Sequence, residues 1–90
     1  MSLTAPAETE VSAVIIAAIV QVLEAEPRRL TRDTALIADL KADSLALVEI
    51  VDIVEERLAP RAKPGFHIDD DDLDALITVG DAIDYVLAKL

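Results

Sequence analysis

One hydroxyl in this sequence stands where it could carry a covalent group. Ser44 sits at the junction of an aperiodic stretch, 27–43, and the amphipathic stretch that follows it. Position alone admits two readings. The first is an ordinary N-cap or first-turn serine. The second is a serine bearing a phosphodiester-linked group, because a helix start offers unpaired N–H groups and partial positive charge to a phosphate. Asp43 beside it reads as a plain loop or cap aspartate. Other reactive side chains are few. The chain has no cysteine, which excludes disulfides, thiolate zinc sites and a cysteine nucleophile. Its only imidazole, His67, lies in a Pro/Gly connector and reads as a loop residue without a catalytic role. Gly65 and Gly80 are the only glycines, so there is no glycine-rich phosphate loop. The run Asp69–Asp72 lacks the alternating ligands, central glycine and closing glutamate of a calcium loop. It reads as a solvated helix start favoured by the dipole. No metal ligand set and no catalytic residue is expected, so the chain reads as a non-enzyme.

The elements that must position Ser44 follow from periodicity. Val11, Val14, Ile15, Ala18 and Val22 make one helical stripe that begins near Glu8. Glu8 and Glu10 suit its first turn, and Pro27 is expected to end it. Ile16, Ile19 and Val20 widen its apolar face. Residues 27–43 read as a long ordered loop pinned by Leu30, Leu36, Ile37 and Leu40. A loop of that length in a compact domain points to function. A second helix is expected from Ser44 to about Ala59, burying Leu47, Ile50, Val51, Val54 and Leu58. Glu49, Asp52, Glu55 and Glu56 form its acidic outer face, and Pro60 stops it. After a connector, 69–76 reads as one or two short helical turns. Thr78 and Asp81 form a capping-box pattern before a last stripe of Val79, Ala82, Ile83, Val86 and Leu90. The expected fold is all-α: an antiparallel bundle of three main helices plus one short helix, with a long loop between the first and second helices. Residues 1–7 read as a flexible tail and 8–90 as the domain.

Composition narrows the function classes. Ninety residues make one small domain. Apolar types reach 53%, but Phe66 and Tyr85 are the only aromatics, so the core must be aliphatic. Eighteen Asp and Glu against eight Lys and Arg give a net charge of −10, and residues 43–75 carry −7 of it. Such a field repels nucleic-acid backbones and anionic membranes and favours partners with basic patches. It also disfavours self-association, so a monomer is expected. The longest apolar run, Ala13–Val20, is far short of the ~20 residues of a membrane span. Residues 1–10 lack the positive charge of a signal peptide, and a cytoplasmic location is expected.

The stretch Asp39-Leu40-Lys41-Ala42-Asp43-Ser44-Leu45 resembles the attachment motif of acyl carrier proteins. The resemblance runs over about residues 8–90. It takes in the long loop 27–43, the acidic helix with Val48, Glu49, Glu55 and Glu56, and the last helix from Ile77 to Val86. It implies an acyl carrier domain in which Ser44 bears 4′-phosphopantetheine, transferred from coenzyme A by a phosphopantetheinyl transferase. Asp43 would help that enzyme hold its metal and cofactor. Leu45, Val48, Glu49, Asp52, Glu55 and Glu56 would form the partner face. The partners implied are an acyltransferase, a ketosynthase or acyl-adenylating enzymes of fatty-acid or polyketide-type biosynthesis. Val51, Val54, Leu76 and Ile83 would be candidates to shelter the acyl chain. Four departures stand out. Lys41 replaces a frequent glycine, Ala46 a frequent aspartate and Asp52 a hydrophobic recognition residue, and the connector 60–68 is longer. They leave open whether the pathway is primary or specialised. A peptidyl or aminoacyl carrier is the alternative within the class, and a non-enzymatic acidic helical interaction module the alternative outside it.

Overall fold

The computed structural model describes residues 8–62 and 64–90. The expected tail, 1–7, lies outside the described residues. Three α-helices carry the fold: α1 (Glu8–Leu23), α2 (Ser44–Leu58) and α3 (Val79–Lys89). Three 3-10 segments join them: Pro27–Arg29, Ala59–Arg61 and Asp70–Ala75. Among the described residues there is no β-strand, only an isolated antiparallel bridge between Ala35 and Thr78. This is the all-helical bundle that the stripes predict.

Each helix buries the face its sequence marks. α1 contributes Val11, Ile15, Ala18 and Ile19, while Val14 and Val22 are only partly covered. α2 contributes Leu47, Ile50, Val51, Val54 and Leu58, and α3 contributes Val79, Gly80, Ala82, Ile83 and Val86. α1 packs on both α2 and α3. No polar or charged side chain is buried among the described residues. The core is aliphatic, with Phe66 and Tyr85 half-buried at its edge.

Helix ends show where local rules hold and where they fail. Thr78 and Asp81 form the full reciprocal capping box at the start of α3. Pro27, by contrast, does not end α1. The helix stops at Leu23, because Glu24 turns into the left-handed region at φ 55° with its N–H on the Val20 carbonyl. Pro27 instead opens the following 3-10 turn, where its missing N–H costs nothing.

The long loop is tied to α3 by backbone. Leu36 N–H donates to the Ile77 carbonyl, Val79 N–H to Thr34 and Gly80 N–H to Arg32, each at 2.9 Å. A Cβ on Gly80 would lie 3.0 Å from the Arg32 carbonyl oxygen, so a larger residue would require the Arg32 backbone to give by a few tenths of an ångström. Arg32 adds ion pairs to Asp84 at 2.7 Å and to Glu8 at 3.2 Å. Leu36 pins the loop in the core, and Leu30 and Leu40 are half-buried. Ile37 does not serve as a pin: it is 60% exposed. The chain turns over 36–40, with the Asp39 N–H on the Ala35 carbonyl and the Lys41 N–H on the Ile37 carbonyl, and in that turn Leu36 faces the core while Ile37 faces out.

Candidate functional site

The start of α2 is set by Asp43, not by Ser44. Asp43 has extended backbone, and its Oδ1 accepts the Ala46 N–H at 2.8 Å. The cap position is therefore taken, and Ser44 becomes the first helical residue. Its side chain is exposed and makes no hydrogen bond to any described residue. A free hydroxyl thus stands where the first-turn N–H groups concentrate partial positive charge.

Ser44 also lines an open groove of about 460 Å³, walled by Ala35, Ile37 and Ala38 of the loop and Leu73, Asp74, Leu76 and Ile77 on the other side. Leu47 forms part of its floor. Ile37, Leu45 and Ile77 are the exposed large hydrophobic residues of the described chain, at 60%, 74% and 62% exposure. Ile37 and Ile77 were not anticipated at the site. Each follows a buried leucine, Leu36 or Leu76, next to the Ala35–Thr78 bridge. A small apolar slot of about 20 Å³ shares Leu47 and Leu76 with the groove. Val51 and Val54 also line the slot, whereas Ile83 is buried elsewhere in the core.

The acidic face of α2 divides in two. Leu45, Glu49, Asp52 and Glu56 are exposed and recur at helical spacing, with Val48 half-buried among them. Glu55 is turned toward the connector. Its Oε1 accepts the Ile68 N–H at 2.6 Å and lies 3.1 Å from His67 Nδ1. His67 Nε2 is 3.8 Å from Asp69 Oδ1. The aspartate run is likewise only partly free. The Tyr85 hydroxyl donates to Asp72, and Lys89 Nζ sits 3.7 Å from Asp69 and 5.4 Å from the Tyr85 ring centroid. Partial burial, and then the Asp72 bond, push the Tyr85 hydroxyl above the ordinary phenol range. The tyrosine beside it raises the Lys89 ammonium. No group of three or more potential metal ligands occurs among the described residues. None of the described helices is long and apolar enough to cross a membrane.

An exposed, unbonded hydroxyl at a helix start, opening onto a groove with apolar walls, is suited to a phosphodiester and a flexible arm. The comparisons with known proteins define the class. A family model described as "Phosphopantetheine attachment site" matches residues 13–86. The chain is 41% identical over 70 residues to an acyl carrier protein of Chlamydia trachomatis, covering 78% of this chain and 83% of that protein. It is 46% identical over 57 residues to an acyl carrier protein of Desulforapulum autotrophicum, covering 63% of this chain and 66% of that one. A meromycolate extension acyl carrier protein of Mycobacterium leprae is 38% identical over 76 residues, covering 80% of this chain and 61% of that protein. The chain belongs to the acyl carrier family of phosphopantetheine-bearing proteins. Its cofactor is 4′-phosphopantetheine, and its role is acyl carriage in fatty-acid or polyketide-type biosynthesis.

Proposed function

We propose that Ser44 Oγ is the attachment atom. The reading rests on one observation: Asp43 takes the helix cap, which leaves the Ser44 hydroxyl exposed and unbonded beside the groove. The arm supplies a terminal thiol that holds acyl groups as thioesters, which suits a chain with no cysteine of its own. Asp43 fixes where the helix begins and so where Ser44 points. Its second carboxylate oxygen makes no bond within the described chain and is available to the metal of a phosphopantetheinyl transferase. Leu45, Val48, Glu49, Asp52 and Glu56 form the docking face for that transferase and for acyltransferase, ketosynthase or acyl-adenylating partners. Glu55 adds its charge to this face from a part-buried position while it holds the connector. The acidic field steers partners with basic patches, so these encounters weaken with salt. Sheltering an acyl chain in the slot requires Leu47 and Leu76 to part, since they lie between slot and groove. The chain itself catalyses nothing, acts as a monomer and works in the cytoplasm.

Intact-mass spectrometry tests the site. The parent chain and Ser44→Ala are incubated with coenzyme A and a broad-specificity transferase. The parent gains one phosphopantetheine and the variant none. The variant keeps its unfolding midpoint, because Ser44 is not the cap and alanine is a good helix former. No gain on folded parent, or a gain on the variant, overturns attachment at Ser44.

A further inference from the structure

Lys41 lies three residues before Ser44 in a costly backbone state. Its φ is 62°, a region that L side chains enter with strain and glycine enters freely. The turn that demands this is held by the Lys41 N–H on the Ile37 carbonyl and the Ala42 N–H on the Leu36 carbonyl, both at 3.0 Å. The side chain is exposed, and its Nζ rests 3.1 Å from the Ala38 carbonyl. Ala38 and Ser44 both line the groove, and the ammonium is held against the carbonyl of the first and three residues before the second.

Lys41 forms no ion pair with a described residue. The carboxylates closest in sequence are engaged elsewhere: Asp39 accepts the Ala35 N–H at 2.8 Å, and Asp43 accepts the Ala46 N–H at 2.8 Å. Arg32 and Lys89, by contrast, have carboxylate partners in Asp84 and Asp69. A phosphodiester on Ser44 brings a negative charge into a neighbourhood that already holds Asp43 and the groove residue Asp74. That charge is repelled by both carboxylates unless a cation stands beside it.

We propose that Lys41 is a positioning residue for the cofactor, its ammonium pairing with the phosphodiester on Ser44 and turning the arm toward the groove. The inference rests on the attachment reading above and adds a residue to it. A charge-assisted pair with phosphate is stronger than the neutral bond to the Ala38 carbonyl that it replaces. The lysine side chain acts here as a compact point charge on a flexible stem, without bidentate geometry.

The test is made on loaded protein by phosphorus NMR. Parent, Lys41→Met, Lys41→Gly and Lys41→Arg are loaded from coenzyme A, and loading is checked by intact mass. Failure of the folded parent to load overturns attachment itself. With loading established, the phosphodiester resonance is followed as salt is raised to about 1 M, where the Debye length falls to about 3 Å. The parent resonance is expected to move with salt toward the position shared by the Met and Gly variants, which respond little. Lys41→Arg keeps the parent's response. The Met variant retains the backbone strain and the Gly variant relieves it, so their agreement isolates charge from conformation. One shared resonance and salt response for parent, Met and Gly variants overturns the role of Lys41. So does a change confined to the Gly variant.

Discussion

The loop from Leu30 to Asp43 and the segment from Ala59 to Leu76 both bridge main helices, and each sends an apolar side chain to the core centre, Leu36 and Ile68. They are held by different means. The loop is fastened by backbone hydrogen bonds to α3 through Thr34, Leu36 and Arg32. In the second segment, each backbone hydrogen bond among the described residues closes a local turn, such as Asp72 N–H to Asp69 and Leu76 N–H to Leu73. Its long-range ties are made by side chains: Glu55 on the Ile68 N–H, Tyr85 on Asp72 and Lys89 on Asp69. Backbone pairs carry no net charge and respond little to salt, whereas these ties rest largely on charged side chains. The wall that presents Ser44 is thus built from the durable kind of contact. The opposite wall takes Leu73 and Leu76 from the segment with adjustable ties, while its Ile77 carbonyl is bonded to Leu36 of the loop.

Core truncation in the backbone-held loop should have the largest effect. Leu36→Ala removes a side chain that is 2% exposed and is expected to cost about 2–5 kcal/mol in urea unfolding. It should also loosen the turn before Ser44. A cost below about 1 kcal/mol would mean that the backbone bonds alone hold the loop.

Gly80→Ala comes next. The added Cβ must displace the Arg32 backbone, so a loss of about 1–3 kcal/mol is expected. The variant should speed amide exchange at Gly80 and Val79 and leave Ile68 unaffected. Equal acceleration at Ile68 would erase the distinction between the two segments.

Glu55→Ala attacks the other kind of tie. It strands the Ile68 N–H and is expected to cost about 1–3 kcal/mol. Exchange at Ile68 should rise while Leu36 stays protected. Glu55→Gln, which keeps an acceptor oxygen, should lose less.

The smallest effect is a pH dependence. Tyr85 has its pKa raised in the folded state, so the fold binds that proton more tightly than the unfolded chain does. Its contribution is complete below the unfolded value of about 10 and is lost as pH rises through the folded value. Stability should therefore fall on the alkaline side, and Tyr85→Phe should flatten that limb while removing the bond to Asp72. An unchanged alkaline limb in the variant would show that the tyrosine tie does not hold the segment.

Sequence periodicity by itself determined the three helices, their buried stripes, the Thr78–Asp81 capping box and the placing of Ser44 at a helix start. These depend on residues three to four positions apart, and such contacts form wherever the helix forms. Tertiary structure alone decided the features that join distant positions. It turned Glu55 to a backbone amide thirteen residues away, paired Ala35 with Thr78, seated Gly80 on Arg32 and left Ile37 and Ile77 flanking the groove. It also chose between two neighbouring oxygens at the head of α2. Asp43 and Ser44 are both good capping residues by type, and periodicity does not rank them. The turn ending at Lys41 sets where extended backbone gives way to helix, and so which side chain reaches the first-turn amides. That choice freed the serine hydroxyl.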